Sequence, residues 1–256
     1  MDLTPNNDAL LNSVTDYWNN RAEGYSESNI AELNSHKRDI WLNIILNLAP
    51  KKPVLRVLDI GTGPGFFAII LAKAGHNVTA VDATLAMLNQ AEANATQQDV
   101  KIQFVQSDVH HLPFDDNQFD LIVSRNVTWN LKDPLQAYQE WYRVLDVNGR
   151  MITFDANWYL HLFNEHFMRG FKQDRLNTQQ HNVNDHYVNT DTKAMEAIAR
   201  QLPFSQQLRP QWDAKALLDI GFDQLLIDKN ISEQVWDTEE KINYGSTPMF
   251  VITAQK

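Results

Sequence analysis

Between residues 54 and 155 the chain alternates short apolar runs with longer segments whose apolar residues recur at helical spacing. The runs at 54–60, 77–82, 101–106, 119–124 and 149–155 read as strands, and the segments 64–74, 84–95 and 133–145 between them read as helices. In the last of these helices Leu135, Tyr138, Trp141, Tyr142 and Leu145 fall close to one face, the pattern of a core-facing stripe. The Asn148-Gly149 pair that follows is turn chemistry leading into a strand. Strand–helix alternation of this kind predicts an α/β fold with a doubly wound, mostly parallel sheet. Upstream, 8–26 and 29–48 read as two helices, the second ended by Ala49-Pro50. Downstream the rhythm breaks. Residues 157–211 are polar, rich in His and Gln, and helical in parts; 212–220 reads as a helix closed by Gly221, and strands follow at 224–231 and 248–254.

The first strand runs into Gly61-Thr62-Gly63-Pro64-Gly65, three glycines at alternate positions before a helical pattern. A strand, a tight glycine turn and a helix N-terminus together form a cradle for a nucleotide-like ligand. Glycine lets the backbone turn with positive φ and approach the ligand closely. About twenty residues on, the apolar run Val78 to Val81 ends in Asp82. A carboxylate at the tip of the second strand is placed to accept from a pair of ribose hydroxyls.

The dinucleotide fingerprint is G-x-G-x-x-G. Here the spacing is G-x-G-x-G, with Asp59 two residues before the first glycine. This resembles motif I of the class I S-adenosylmethionine-dependent methyltransferases. Three more segments resemble the same family, in its small-molecule branch with ubiquinone/menaquinone-biosynthesis-like core motifs. Asp108-Val109-His110-His111-Leu112-Pro113-Phe114 is similar to its D-[AVL]-x-x-L-P-F segment. Phe119 to Ser124 with the trailing Asp133-Pro134 is similar to its fourth-strand motif, and Tyr17-Trp18-Arg21-Tyr25 to its N-terminal Y-W-x-x-R-A-x-x-Y segment. The resemblance implies a seven-stranded Rossmann-like sheet and S-adenosyl-L-methionine as cofactor. It implies a glycine cradle at Gly61, Thr62, Gly63 and Gly65, and Asp59 toward the cationic amino acid moiety. Asp82 and Ala83 would meet the ribose, Asp108 and Val109 the adenine, and Asn126 the methionyl part. Tyr17, Arg21 and Tyr25 would fold over the cofactor. One methyltransferase domain over 1–256 is expected, with 1–50 as a helical cover and 157–211 as a substrate lid.

The acceptor side is less constrained. Many relatives carry His-His or Leu-His where this chain has Trp129-Asn130, so a histidine base is not expected there. The N-P-P-Y loop of amino-nitrogen methyltransferases is missing. Ligands sit at the carboxyl ends of strands in open sheets. Asn126, Trp129, Asn157, Trp158 and Tyr159 are therefore expected to line the acceptor pocket. Asp155 either orients or deprotonates the nucleophile or caps the next helix. Asp155 and Asn126 are the catalytic candidates.

Composition narrows the partners. At 256 residues with a net charge of −10, no Lys/Arg cluster and no cysteine, the chain offers no phosphate-backbone surface, disulfide, zinc thiolate or cysteine nucleophile. The expected partner is a small-molecule methyl acceptor, with neither nucleic acid nor membrane. The N-terminus lacks a basic-then-apolar leader and the longest apolar run is Phe66 to Ala72, so a cytoplasmic protein is expected. The sequons at Asn94 and Asn126 then carry no meaning. Neither His110-His111 nor His161, His166, His181 and His186 has a ligand spacing, and no metal is expected. Two other readings remain at this stage: a non-catalytic S-adenosylmethionine-binding module, and an NAD-dependent oxidoreductase, against which the glycine spacing speaks. Nothing in the sequence indicates oligomeric state.

Overall fold

The computed structural model describes residues 7–188 and 190–256. Seven strands form one sheet: β1 (Arg56–Ile60), β2 (Asn77–Asp82), β3 (Gln103–Gln106), β4 (Phe119–Arg125), β5 (Leu145–Asp155), β6 (Gln224–Asp228) and β7 (Phe250–Gln255). Their order is β3-β2-β1-β4-β5-β7-β6. β1 pairs in parallel with both β2 (Val57 opposite Val78) and β4 (Val57 opposite Leu121). β7 runs antiparallel between β5 and β6. The strand order reverses between β1 and β4, and in an open α/β sheet the crevice at that point receives the ligand.

Alternation along the strands feeds two cores. Val57 faces one side with α2 (Lys37–Leu48) and α3 (Phe66–Lys73), where Trp41 and Phe67 pack edge-to-face 5.3 Å apart. Leu58 faces the other with α5 (Pro134–Val144) and α8 (Gln211–Ile220), around Tyr138, Trp141 and Leu217. Phe66 to Leu71 are all buried, which suits a helix pressed between the sheet and other helices. α5 starts where the sequence signals it: the Asp133 side chain accepts from Gln136 N–H, and Pro134 takes the first turn.

Several expected boundaries move. The N-terminal pattern is one helix, α1 (Asn7–Leu33), and the break falls at 34–36 rather than near 27. Ser26 and Asn29, at the expected junction, are instead buried within the helix, and Asn29 Nδ2 bonds back to Tyr25 O at 3.1 Å. α3 begins two residues later than expected because Gly65 is left-handed, with φ 92°. β5 starts at Leu145, directly after α5, and its ladder with β4 is interrupted between Phe119–Leu145 and Leu121–Arg150. The expected cover over 1–50 also divides. Among the described residues α1 lines both cavities, whereas α2 packs in the helical layer, with Trp41 2% and Ile45 0% exposed, and reaches the larger cavity only through Lys37 and Trp41; residues 1–6 of that expected cover lie outside the described residues.

The inserted segment holds α6 (Glu165–His181) and α7 (Thr192–Ala199). Met195, Ile198 and Leu202 form a satellite core with Leu10 of α1 and Trp129, closing the insertion onto α1. α4 (Leu85–Gln97) flanks β2 and β3, and the short α9 (Ser232–Val235) and α10 (Thr238–Tyr244) lead into β7. Among the described residues no helix is long and apolar enough to cross a membrane.

Candidate active site

The glycine turn is held from behind. Asp59 is 2% exposed, and its Oδ2 accepts from Thr62 Oγ1 at 2.7 Å and from Ala68 N–H at 3.0 Å. Thr62 N–H in turn donates to Val81 O at 3.0 Å, tying the turn to β2. Burial pushes the Asp59 carboxyl up to about 7, against the pull of those two donors and of Arg125. The three glycines do different work. A Cβ on Gly61 would stand 2.4 Å from Val127 Cγ2, so Gly61 lets the chain leaving β4 close against the turn. A Cβ on Gly65 would meet Ala91 of α4 at 3.1 Å. Gly63, with φ 54°, is the one whose Cβ would point to the ring of Tyr25, 3.5 Å away across the cavity beside the turn.

That cavity has a volume of about 110 Å³. Gly61, Gly63, Asp82 and Ala83 line one side, and Asp108, Val109 and Lys132 another. Leu11, Val14 and Trp18 of α1 close the top. Asp82 accepts from Gly63 N–H at 3.0 Å and from Thr84 N–H at 2.9 Å; burial raises its pKa against both bonds. Asp108 accepts from His110 Nδ1 at 2.5 Å and from Lys132 Nζ at 3.0 Å. Burial opposes its ionisation, but these cationic and polar donors outweigh it and hold the carboxyl well below the usual carboxylate range. His110 Nε2 accepts from Asp133 N–H at 3.3 Å, so Nδ1 carries the proton.

A second cavity, of about 710 Å³, opens beyond the first, and Trp18, Tyr25, Arg125 and Asn126 line both. Eleven of its 31 described lining residues are Phe, Tyr or Trp, against 10% of the chain, which marks it as a site for a flat or apolar body. Trp129 and Tyr159 lie with ring centroids 5.0 Å apart in its wall. Arg125 donates to both oxygens of Glu32 at 2.8 and 2.9 Å, and its guanidinium sits 4.5 Å from the centroid of Phe66. Asn126 is left-handed (φ 58°), with its N–H on Phe154 O at 2.8 Å, and its Oδ1 is buried without a partner.

Of the residues singled out by sequence, Gly61, Gly63, Asp82, Ala83, Asp108, Val109, Tyr25 and Asn126 gather at the smaller cavity. Tyr17, Arg21, Trp129, Trp158 and Tyr159 gather at the larger one, along with Tyr25 and Asn126. Asp59, Thr62 and Gly65 stand behind the turn as its support, so Asp59 braces the cradle and its bonded Oδ2 faces the protein. Asp155 needs the largest correction. It is fully buried, and its oxygens accept from Arg209 Nη1 (2.9 Å), Trp129 N–H (2.7 Å), Trp158 Nε1 (3.0 Å) and the Thr128 hydroxyl. It neither faces a cavity nor caps a helix; it fastens the ends of β4 and β5 to a buried arginine that also pairs with Asp213. Asn157 is likewise turned away, exchanging two hydrogen bonds with the backbone of Arg209. The His-rich insertion is not a solvated face throughout: His161 is 5% exposed and stacks on Phe171 at 4.1 Å. Among the described residues no group of three or more His, Cys, Asp or Glu is arranged to hold a metal ion.

Sequence reasoning gave Lys132 and Glu32 no role, weighed His110 only as a metal ligand, and took Arg125 only as part of the segment 124–126 beside the methionyl end. Arg125 did leave a signal, as a charge with only Ser124 between it and the apolar run Leu121 to Val123 at the ligand end of a strand. Glu32 and Lys132 sit in ordinary polar contexts and left none.

A turn of this build, at the switch point of a parallel sheet and beside two joined cavities, defines a nucleotide-type ligand site. Residues 58–153 match the family model described as "Methyltransferase domain". The chain is 30% identical over 175 residues to the 2-phytyl-1,4-naphtoquinone methyltransferase of Nostoc punctiforme, covering 66% of this chain and 74% of that one. It is 31% identical over 153 residues to the demethylmenaquinone methyltransferase of Lactiplantibacillus plantarum, covering 57% and 64%. Against several further curated relatives the chain spans about half of their length, 46% to 53%. A SAM-dependent methyltransferase from Aquifex aeolicus shares the fold with a TM-score of 0.53 at 18% identity, covering 89% of this chain and 97% of that one. The chain belongs to the class I S-adenosylmethionine-dependent methyltransferases.

Proposed function

We propose that this protein transfers a methyl group from S-adenosyl-L-methionine to a small, flat acceptor. One observation carries the reading: the cavity over the glycine turn and the larger aromatic cavity meet at Trp18, Tyr25, Arg125 and Asn126, so donor and acceptor would face each other there. The residues suit the cofactor. Gly63 leaves a face open that any side chain would fill, and Asp82 and Asp108 line the same cavity, where they would accept from the ribose hydroxyls and the adenine amino group respectively. When bound, the cofactor supplies a methyl group activated by its positive sulfur.

The chain then has three tasks. The glycine turn and Asp82 fix the donor end. The aromatic walls hold the acceptor's ring in line, where alignment alone contributes a large share of rate. α1 and α7, joined through Leu10, Met195 and Ile198, keep water out. Asn126 at the junction is suited to accept a hydrogen bond from the attacking hydroxyl or amine through its free Oδ1. The amide is no base, so the released proton goes to bulk solvent once the cover opens. The quinone acceptors named for two relatives are flat, ring-bearing molecules, which agrees with the cavity's aromatic lining.

Calorimetric titration tests the reading. S-adenosylmethionine and S-adenosylhomocysteine should bind and NAD should not, and release of S-adenosylhomocysteine should follow addition of a hydroxylated or quinol-type ring. Binding of NAD without S-adenosylmethionine would overturn it.

A further inference from the structure

We propose that Arg21 is the anion receptor of the larger cavity and selects acceptors that carry a carboxylate or comparable anionic oxygen on a hydroxylated ring. This rests on the reading that the larger cavity holds the acceptor. The argument is one of charge matching. Arg21 lines this cavity but not the smaller one, its Nε is buried without a hydrogen-bond partner, and it forms no ion pair among the described residues.

The carboxylates on the same wall are already engaged. Glu32 is held by Arg125 and by Trp41 Nε1. Asp237 and Glu240 are held by Lys37, and Glu239 lies 2.8 Å from His186 Nε2. Asp174 accepts from the N–H and hydroxyl of Ser246. Among the cations, Lys37 and Arg125 are paired within the wall, and Arg175 pairs with Asp185. Arg21 alone of the described cationic side chains lining this cavity is left with its charge unmatched.

Arg21 is partly exposed, but its Nε is shut off from water; a cationic donor left so is costly, and a ligand anion relieves that cost without displacing any protein bond. Asn126 Oδ1 is the complementary orphan, an acceptor that calls for a hydroxyl or amino hydrogen. Tyr17 and Tyr25 stand one turn to either side of Arg21 on α1, and the Trp129–Tyr159 pair stands in the same cavity wall. One anionic oxygen, one hydrogen-bond donor and a flat ring between aromatic walls describe a hydroxylated aromatic carboxylate.

The test uses the intact chain saturated with S-adenosylhomocysteine. The probes are 2-, 3- and 4-hydroxybenzoate and the matching uncharged hydroxybenzyl alcohols, read by calorimetry. At least one hydroxybenzoate should bind about tenfold or more tighter than its alcohol, as expected for a charge-assisted pair. Arg21→Gln should erase that preference and Arg21→Lys should keep part of it. Equal affinity for acid and alcohol in the wild-type protein overturns the proposal. The methionyl carboxylate of the cofactor is the rival anion, and 5′-methylthioadenosine, which lacks it, separates the two. If Arg21→Gln weakens S-adenosylhomocysteine about tenfold or more while 5′-methylthioadenosine is unaffected, Arg21 serves the cofactor and the proposal fails. Should the wild-type protein bind no S-adenosylhomocysteine at all, the methyltransferase reading fails instead, and the acid-over-alcohol preference is then read on the unliganded protein.

Discussion

Gly61 and Gly63 are two residues apart and answer to different demands. A side chain on Gly61 collides with Val127, a contact that holds β4's exit against the turn, whereas one on Gly63 enters the cavity. Both sit at positive φ, so a side chain strains either, but Gly61→Ala adds the clash with Val127 and is expected to lower the unfolding midpoint further than Gly63→Ala, which should stay folded and lose affinity for S-adenosylhomocysteine. Urea unfolding and calorimetry on the same two samples separate them. Equal loss of stability in both would refute the division. At Asp155 the structure turns an expected rate effect into a stability effect. Asp155→Asn removes one partner of a buried ion pair, a change that costs about 3–5 kcal/mol, toward the lower end here because Asp213 still pairs with Arg209. Full stability combined with slow methyl transfer would return Asp155 to the chemistry.

At the scale of elements, α1 links the site to the body of the protein. Asn94 of α4 donates to Ser26 Oγ at 3.1 Å and to Pro64 O at 3.0 Å, so one amide joins the cover to the glycine turn. Asn94 is 3% exposed, which makes the sequon there a packing residue. Ligand in the smaller cavity should therefore steady α1 and, through the Leu10–Met195–Ile198 cluster, α7. Hydrogen exchange is expected to slow in both helices on addition of S-adenosylhomocysteine, with little change in α5. Unchanged exchange in α1 at saturation would argue against its acting as a cover.

Strands and sheet-facing helices were legible because parallel strands buried on both faces read as nearly continuous apolar runs. The glycine spacing and the carboxylate after the second strand were legible because backbone geometry demands those residue types at those places. The break between the two N-terminal helices was placed too early because the middle of α1 buries Ala22, Ser26 and Asn29, small and polar groups that make no hydrophobic stripe. Asp155 was misread for a different reason. Its partner Arg209 lies 54 positions away, across the whole insertion, and nothing local announces that pairing.

For the whole molecule, pH separates two buried carboxylates. Asp120 is held below the usual range by Arg56 and Lys52 despite its burial, so the stability it adds is present above an unfolded pKa near 4 and is lost on acidification. Asp59 runs the other way. Its carboxyl keeps a proton in the folded protein up to about 7, whereas the unfolded chain releases it near 4. The folded state then binds the extra proton, and stability falls as pH rises from about 4 to about 7. Asp59→Asn keeps an oxygen for Thr62 and Ala68 and removes the titration, so its urea midpoint should decline less than the wild type's between pH 5 and 7.5. Parallel declines in the two proteins would show that Asp59 ionises normally.

The two hydrogen bonds between Asn157 and the Arg209 backbone have a wider meaning. They clasp the chain where it leaves β5 and where it returns to α8, so the insertion departs from and rejoins the scaffold at a single closed neck. The clasp uses one side-chain amide and main-chain atoms, and does not depend on what is threaded between. The insertion is in this sense a loop on a closed neck that brings Trp158, Tyr159, Phe171 and Tyr187 to a cavity whose facing wall, with Tyr17 and Arg21 of α1, belongs to the scaffold.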